Sequence, residues 1–229
     1  MMPALPFCPD AVVFDMDGLM LDSERAILAC LDQAARAHGH AVEPGFWVQM
    51  VGQGDAACRA LLHARVGEAD ADSVLAQCHA LYDAVVDAGV PHRPGIIALL
   101  SWLQEQGIPR AVATSTRRPL ALRKLESTDL LWRFDAICTS SDVAHPKPAP
   151  DIYLLAARAL GVDPTRCVVL EDSPTGVRAA LAAGMTPIQV PDLVEPDEAV
   201  RGWGHRIVAS LGEAQRLLQD SVERAALAR

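Results

Sequence analysis

The stretch AVVFDMDGLMLDSE, residues 11–24, ends an apolar run at Asp15, places a second carboxylate at Asp17 and follows it with Gly18. Farther along, one apolar run ends in Thr114-Ser115-Thr116 and another in Glu171-Asp172, while the segment TSSDVAHPKPAPD carries Lys147. Carboxylates gathered at one place cannot all stay ionised without a cation. Hard oxygen ligands beside a lysine suit Mg²⁺ and a phosphate better than a soft metal. A carboxylate can attack phosphorus to form an aspartyl-phosphate. The remaining groups would then position the phosphoryl and neutralise its charge. The chain has 18 arginines but only two lysines, Lys124 and Lys147, so a lysine needed for chemistry has two candidate positions.

These residues meet only if the runs before them are strands of one sheet. Valine- and isoleucine-rich runs at 11–15, 110–114, 134–138, 166–171, 186–190 and 206–209 read as buried strands. Helical patterns cover 95–106 and 149–160. SPTGVRAALAAG starts a third with Ser173 as N-cap and Pro174 at the first helical position, and ends it at Gly184. Ser210 and Glu213 have capping-box spacing before the last helix. The alternation predicts an α/β fold with a doubly wound parallel sheet, whose ligands bind beyond the carboxyl ends of the strands. Residues 20–92 break the rhythm. They hold three helical patterns (24–38, one following Asp55, and 73–88) and no strand pattern. We expect an inserted all-helical cap domain over 20–92, a core domain of 1–19 and 93–229, and PHRPG (91–95) as the return linker.

At 229 residues the chain can bury the core of one large domain or two modest ones. Its apolar runs are far shorter than the roughly 20 residues of a membrane span. A net charge of −9 argues against nucleic-acid or anionic-membrane partners. The N-terminus MMPALPFCPD shows no basic region or cleavage-like site, so no signal peptide is expected. Six scattered cysteines without a CxxC read as free thiols of a cytoplasmic protein, and no histidine stands at zinc-ligand spacing from a cysteine pair. A monomer is the default expectation.

Taken in order, DMDGLMLDSE, VATSTRR, KPAPDIYLLAARALG and VVLEDSPTGVRAALAAG resemble the four motifs of the haloacid dehalogenase superfamily, in its helical-cap phosphatase and β-phosphoglucomutase-like branch. The resemblance spans nearly the whole chain. It implies a Rossmann-like core, Mg²⁺ as cofactor and a small phosphorylated metabolite as substrate. Asp15 would be the nucleophile. Asp17 would act as general acid and then base, with its backbone carbonyl on the metal. Thr114, with Ser115 beside it, would hydrogen-bond the phosphoryl oxygens, and Lys147 would screen the repulsion between Asp15 and phosphate. Asp172 would ligate the metal, Glu171 assisting directly or through water, which makes the metal set Asp15, Asp17, Glu171 and Asp172. Gly18 would let the backbone turn toward the cap. Gln53 lies on the loop Gly52–Asp55, whose counterpart contacts substrate in capped relatives. Arg117 either reaches a distal anion of the substrate or stands in solvent at a helix start. His145 is a loop histidine or a substrate contact.

Within that branch, dehalogenases lack an acid at the position of Asp17. Phosphonate hydrolases use a cap lysine, and residues 1–123 contain none. Sugar phosphomutases carry a cap histidine and a cap arginine where Ile27 and Asp55 stand here. The expected function is therefore a phosphatase for small phosphomonoesters, with sugar and polyol phosphates as candidates. A β-phosphoglucomutase-like enzyme is the alternative, and a non-catalytic scaffold of the same fold is a third reading.

Overall fold

The computed structural model describes residues 5–51 and 55–227. In chain order the elements are β1 (Ala11–Phe14), α1 (Ser23–Ala37), α2 (Pro44–Val48), α3 (Asp55–Val66), α4 (Glu68–Ala88), α5 (Ile96–Glu105), β2 (Arg110–Thr114), α6 (Arg118–Ser127), β3 (Ala136–Thr139), α7 (Asp151–Leu160), β4 (Cys167–Glu171), α8 (Pro174–Ala182), β5 (Thr186–Gln189), α9 (Glu198–Arg201), β6 (Arg206–Ile207) and α10 (Leu211–Leu227). The strands form one sheet in the order β3-β2-β1-β4-β5-β6, and every pair is parallel. The doubly wound parallel sheet expected from the sequence is what the chain forms. Because β1 is central, with Phe14 level with Val112 on one side and Leu170 on the other, the winding reverses there. A crevice opens where β1, β2 and β4 end, and Asp15, Thr114 and Glu171 are the residues at those ends.

Side chains alternate between the faces of a strand. Val12 and Phe14 join a layer with α5, α6 and α10, in which Leu99, Leu103, Leu125 and Leu218 are fully buried. Each such side chain contributes about 2 kcal/mol over exposure. Ala11 and Val13 face α7 and α8 through small residues, Ala111, Ala113, Ala156 and Ala180 among them. That thin layer brings α7 close enough for Tyr153 to be fully buried.

Helices α1–α4 share a separate apolar cluster that includes Leu31, Trp47, Leu62 and Val74. The far end of α4, at Val86, joins the sheet-side layer instead. Two chain crossings connect these helices to the sheet, and they run side by side. Leu21 and His92 form an antiparallel bridge. The Asp22 N–H donates to the Pro91 carbonyl and the Arg93 N–H to the Met20 carbonyl, both at 2.8 Å.

Some boundaries differ from the sequence reading. Helix α4 begins at Glu68 rather than 73, because Glu68 and Asp70 complement its positive end. Helix α2 has Pro44 in its first turn and buries only Trp47, too little for a periodic signal. Helix α6 is polar on average, with Lys124 on its buried face.

The connection that leads to Lys147 is anchored by Asp142. Its carboxylate accepts Arg118 Nε at 3.0 Å, Arg118 Nη2 at 2.6 Å, and the Thr139 N–H and hydroxyl at 2.8 and 2.7 Å. The Arg118 fork leads these effects, and together they push Asp142 down to about 2. A depressed carboxylate stabilises the fold above its unfolded value near ~4 and loses that contribution as pH falls through the folded one. Allowing for its partial exposure, Asp142→Asn should cost about 1 kcal/mol at pH 7. The deficit should narrow steadily below pH ~4. Urea unfolding across that range tests this, and a pH-independent deficit would refute the charge account.

Candidate active site

Asp15 is the first residue beyond β1. Its N–H still donates to the Leu170 carbonyl at 3.0 Å, so the sheet sets where its side chain begins. The side chain is buried, and Oδ1 accepts Lys147 Nζ at 2.6 Å. The same ammonium donates to Glu171 Oε1 at 2.6 Å and lies 4.9 Å from the centroid of the Tyr153 ring. Tyr153 donates its hydroxyl to Glu171 Oε1 at 2.8 Å. Oε2 accepts the Ser173 N–H and hydroxyl at 2.9 and 3.0 Å. Glu171 is thus fully buried and supplied with donors on both oxygens. Asp172 follows it at the crevice. Gly18 passes beneath with φ +79°, and a Cβ there would strike the Asp172 carboxylate. Asp172 is also tied from behind: its carbonyl accepts Gln189 Nε2 at 3.0 Å, and Gln189 Oε1 meets His205 Nε2 at 2.8 Å.

Asp15, Glu171 and Asp172 each offer one oxygen within 4.8 Å of the others. Three carboxylates face one ammonium. Burial pushes Asp15 up to about 7, with Lys147 opposing and Glu171 adding to the rise. Burial, Glu171 and Asp15 hold Asp172 well above the ordinary carboxylate range. For Glu171, Lys147 and its hydrogen bonds outweigh burial and keep it low. A hard cation would supply the missing positive charge, and the all-oxygen donor set fits one.

Asp17 belongs to a second charge group. Its Oδ1 accepts Lys124 Nζ at 2.7 Å and its Oδ2 the Thr116 hydroxyl at 2.6 Å. Burial works against its charge, but the Lys124 ammonium prevails and holds it below the usual range. Thr114, almost fully buried, accepts the Thr116 N–H at 3.0 Å, so its own hydroxyl proton is available to a ligand.

A cavity of about 480 Å³ opens over these groups, and Asp15, Asp17, Thr114, Ser115, Lys147 and Asp172 line it together. Six of the residues singled out from the sequence are thereby brought to one place, with Glu171 behind them. Glu24 and Met50 from the helical side and Asp192 and Val194 from the connection after β5 complete the wall. Burial, then Asp17 and Asp192, raise the carboxyl of Glu24. Glu24 and Met50 also border an apolar cavity of about 310 Å³ among α1, α3 and α4, where Ile27 lies. Arg117 is exposed at the N-cap of α6, away from the cavity wall. His145 is exposed and meets Asp151 at 2.9 Å. Gln53 lies outside the described residues.

The haloacid dehalogenase-like hydrolase family matches residues 9–184, more than half of the chain. The chain belongs to this family. The hydrolase is 38% identical over 180 residues to hexitol phosphatase A of Escherichia coli, a match covering 78% of this chain and 81% of that protein. A haloacid dehalogenase family hydrolase from Deinococcus radiodurans, solved with bound phosphate and sodium, superposes with a TM-score of 0.81 at 31% identity over 94% of this chain and 96% of that one. The putative β-phosphoglucomutase of Thermotoga maritima superposes at 0.80 with 28% identity, over 92% and 98% of the two chains.

Several residues of the hydrolase's site have no role assigned from the sequence. Tyr153 is one hydrophobic residue among many on α7. Gln189 and His205 lie on neighbouring strand edges with no motif to mark them. Lys124 was one of only two lysines, and that scarcity was the one available signal.

Proposed function

We propose that this hydrolase is a Mg²⁺-dependent phosphatase of small phosphomonoesters, sugar and polyol phosphates in particular, working through an aspartyl-phosphate at Asp15. The observation that carries it is the excess of buried carboxylate over ammonium beside an acid that keeps one oxygen free. Lys147 occupies Oδ1 of Asp15, so Oδ2 is left to attack phosphorus. The Thr114 hydroxyl donates to a phosphoryl oxygen, and Lys147 offsets the repulsion between Asp15 and the incoming anion. Asp17 is ionised beside Lys124 at rest, so it takes up a proton as the phosphomonoester monoanion binds and gives that proton to the leaving oxygen as the P–O bond to the alcohol breaks. It then takes one from the water that attacks the phospho-aspartate, and inorganic phosphate and free Asp15 result. Asp15 and Asp172 would hold the Mg²⁺ with the backbone carbonyl of Asp17. Glu171, with both oxygens already supplied, would act through Lys147 or a water. Mg²⁺ would neutralise charge on the transferring phosphoryl. The same proposal divides the chain into a core of 1–19 and 93–229 and a cap of 20–92. The separate apolar cluster of α1–α4 and the paired crossings support that division.

Water rather than a second hydroxyl is favoured as acceptor because the arginines of residues 20–92 are already engaged. Arg25 meets Asp22 and Asp192, Arg36 meets Asp32, and Arg59 meets Asp72. Arg65 donates to the Ala41 carbonyl. A mutase must retain a bisphosphate and needs a free cation for its distal phosphate. The relatives fit this reading, since hexitol phosphatase A is named for a polyol phosphate.

The test is a panel of hexitol and sugar phosphates with p-nitrophenyl phosphate, assayed with Mg²⁺ and with excess chelator. Phosphate should appear in step with substrate loss, and chelator or Asp172→Ala should abolish it. Rapid isomerisation of β-glucose 1-phosphate with little phosphate release would instead establish the mutase.

A further inference from the structure

We infer that Lys124 is a positioning residue for Asp17, holding its carboxylate in the place from which it serves the leaving group. The inference rests on the phosphatase reading and extends it to a residue that touches neither phosphate nor nucleophile.

The two lysines of the chain pair with different acids of the crevice. Lys147 takes Asp15 and Glu171. Lys124 takes Asp17 alone. The side chain of Lys124 is only 5% exposed, and its ammonium lies 2.7 Å from Asp17 and 5.1 Å from the centroid of the Tyr82 ring. Burying an ammonium costs several kcal/mol before its partner offsets it, so such a pair adds little net stability. The charge of Lys124 favours the ionised carboxylate that later serves as base, and its part in the leaving-group step is geometric. With Thr116 on Oδ2 and Lys124 on Oδ1, the plane of the Asp17 carboxylate is fixed from both sides. Asp17 faces the cavity on the same wall as Asp15, yet its oxygens lie outside the group formed by Asp15, Glu171 and Asp172. Without Lys124, neutral hydroxyls such as that of Thr116 are what remain to hold the Asp17 carboxylate in place. Tyr82 is on α4 and Lys124 on α6, so the contact joins the helical segment to the sheet-side layer.

A residue that acts by placing a general acid should matter in proportion to how much its substrate needs one. Alkyl phosphates have poor leaving groups, whereas p-nitrophenolate departs with little help. Lys124→Met should therefore lower kcat/KM for a hexitol phosphate by about 30-fold and for p-nitrophenyl phosphate by less than about 3-fold. In the background of Asp17→Asn, the same substitution should cost less than about 2-fold, since its target is already gone. The double variant buries no unpaired charge, so this comparison holds even if Lys124→Met alone folds poorly. Equal losses for the two esters, or a further large loss in the Asp17→Asn background, would overturn the assignment while leaving the phosphatase reading intact. Failure of the unmodified protein to release phosphate from either ester would overturn both.

Discussion

Asp15→Asn is expected to abolish phosphate release, by a factor on the order of 10⁴ or more, together with any phospho-enzyme. An amide is not a competent nucleophile toward phosphorus, and Asp15 alone starts at the end of the central strand with its side chain against Lys147. The fold should survive, because the replacement is isosteric and removes charge from an acid-rich site. The pH dependence has a definite sign. A carboxyl raised to about 7 in the fold binds a proton there that the unfolded chain has lost above its own value near ~4. Stability of the unsubstituted protein without cation therefore falls between those two values. Asp15→Asn lacks that slope, so its advantage in melting temperature should grow from about pH 4 to about pH 7, the span of the two values, and level off above it. Mg²⁺ should shrink it by neutralising the acids. Quench-trapped phospho-enzyme and thermal melts in chelator provide the check. Substantial residual turnover, or an advantage that shrinks toward alkaline pH, would contradict the account.

The second large effect should come from Lys147→Met. Burial opposes the charge of Lys147, but Asp15 and Glu171 outweigh it and hold its pKa well above the ordinary value. Removing that ammonium strands two buried carboxylates, which should cost about 3–5 kcal/mol of stability. Activity should fall by on the order of 10²–10³, the range for loss of one preorganised electrostatic contact. Adding Glu171→Gln separates the two losses. Much of the stability should return, because one stranded charge is gone, but catalysis should not, because nothing then offsets the repulsion at Asp15. Urea unfolding beside phosphate-release kinetics distinguishes these outcomes. Recovery of activity in the double variant would show that Lys147 acts only on the fold.

The sheet and the rim of the site were legible because apolar runs mark buried strands and the chemistry-bearing residues follow directly at their ends. Asp15, Thr114 and Glu171 could be found by reading where each run stops. Asp17 was visible, but its partner was not. Lys124 is 107 residues away, on a helix whose polar composition resembles a solvated surface, and no local pattern distinguishes a buried lysine from an exposed one. Tyr153 escaped for the opposite reason: it has the apolar character its helix position calls for, and only its hydroxyl, pointing at Glu171, sets it apart. Backbone ties such as Gln189 to Asp172 depend on strand order, which a single sequence does not state.

The bridge between Leu21 and His92 has a consequence for how the chain can change over time. Everything between those residues is a loop whose two ends are already hydrogen-bonded neighbours. Closing such a loop costs about 0.6 kcal/mol more for each doubling of its length. The sheet is therefore almost indifferent to how much chain is threaded out through this gate and back. Chain length between the crossings can therefore change at little cost to the sheet, while the contacts of Glu24 and Met50 with the crevice and of Val86 with the sheet-side layer are what a replacement would have to keep.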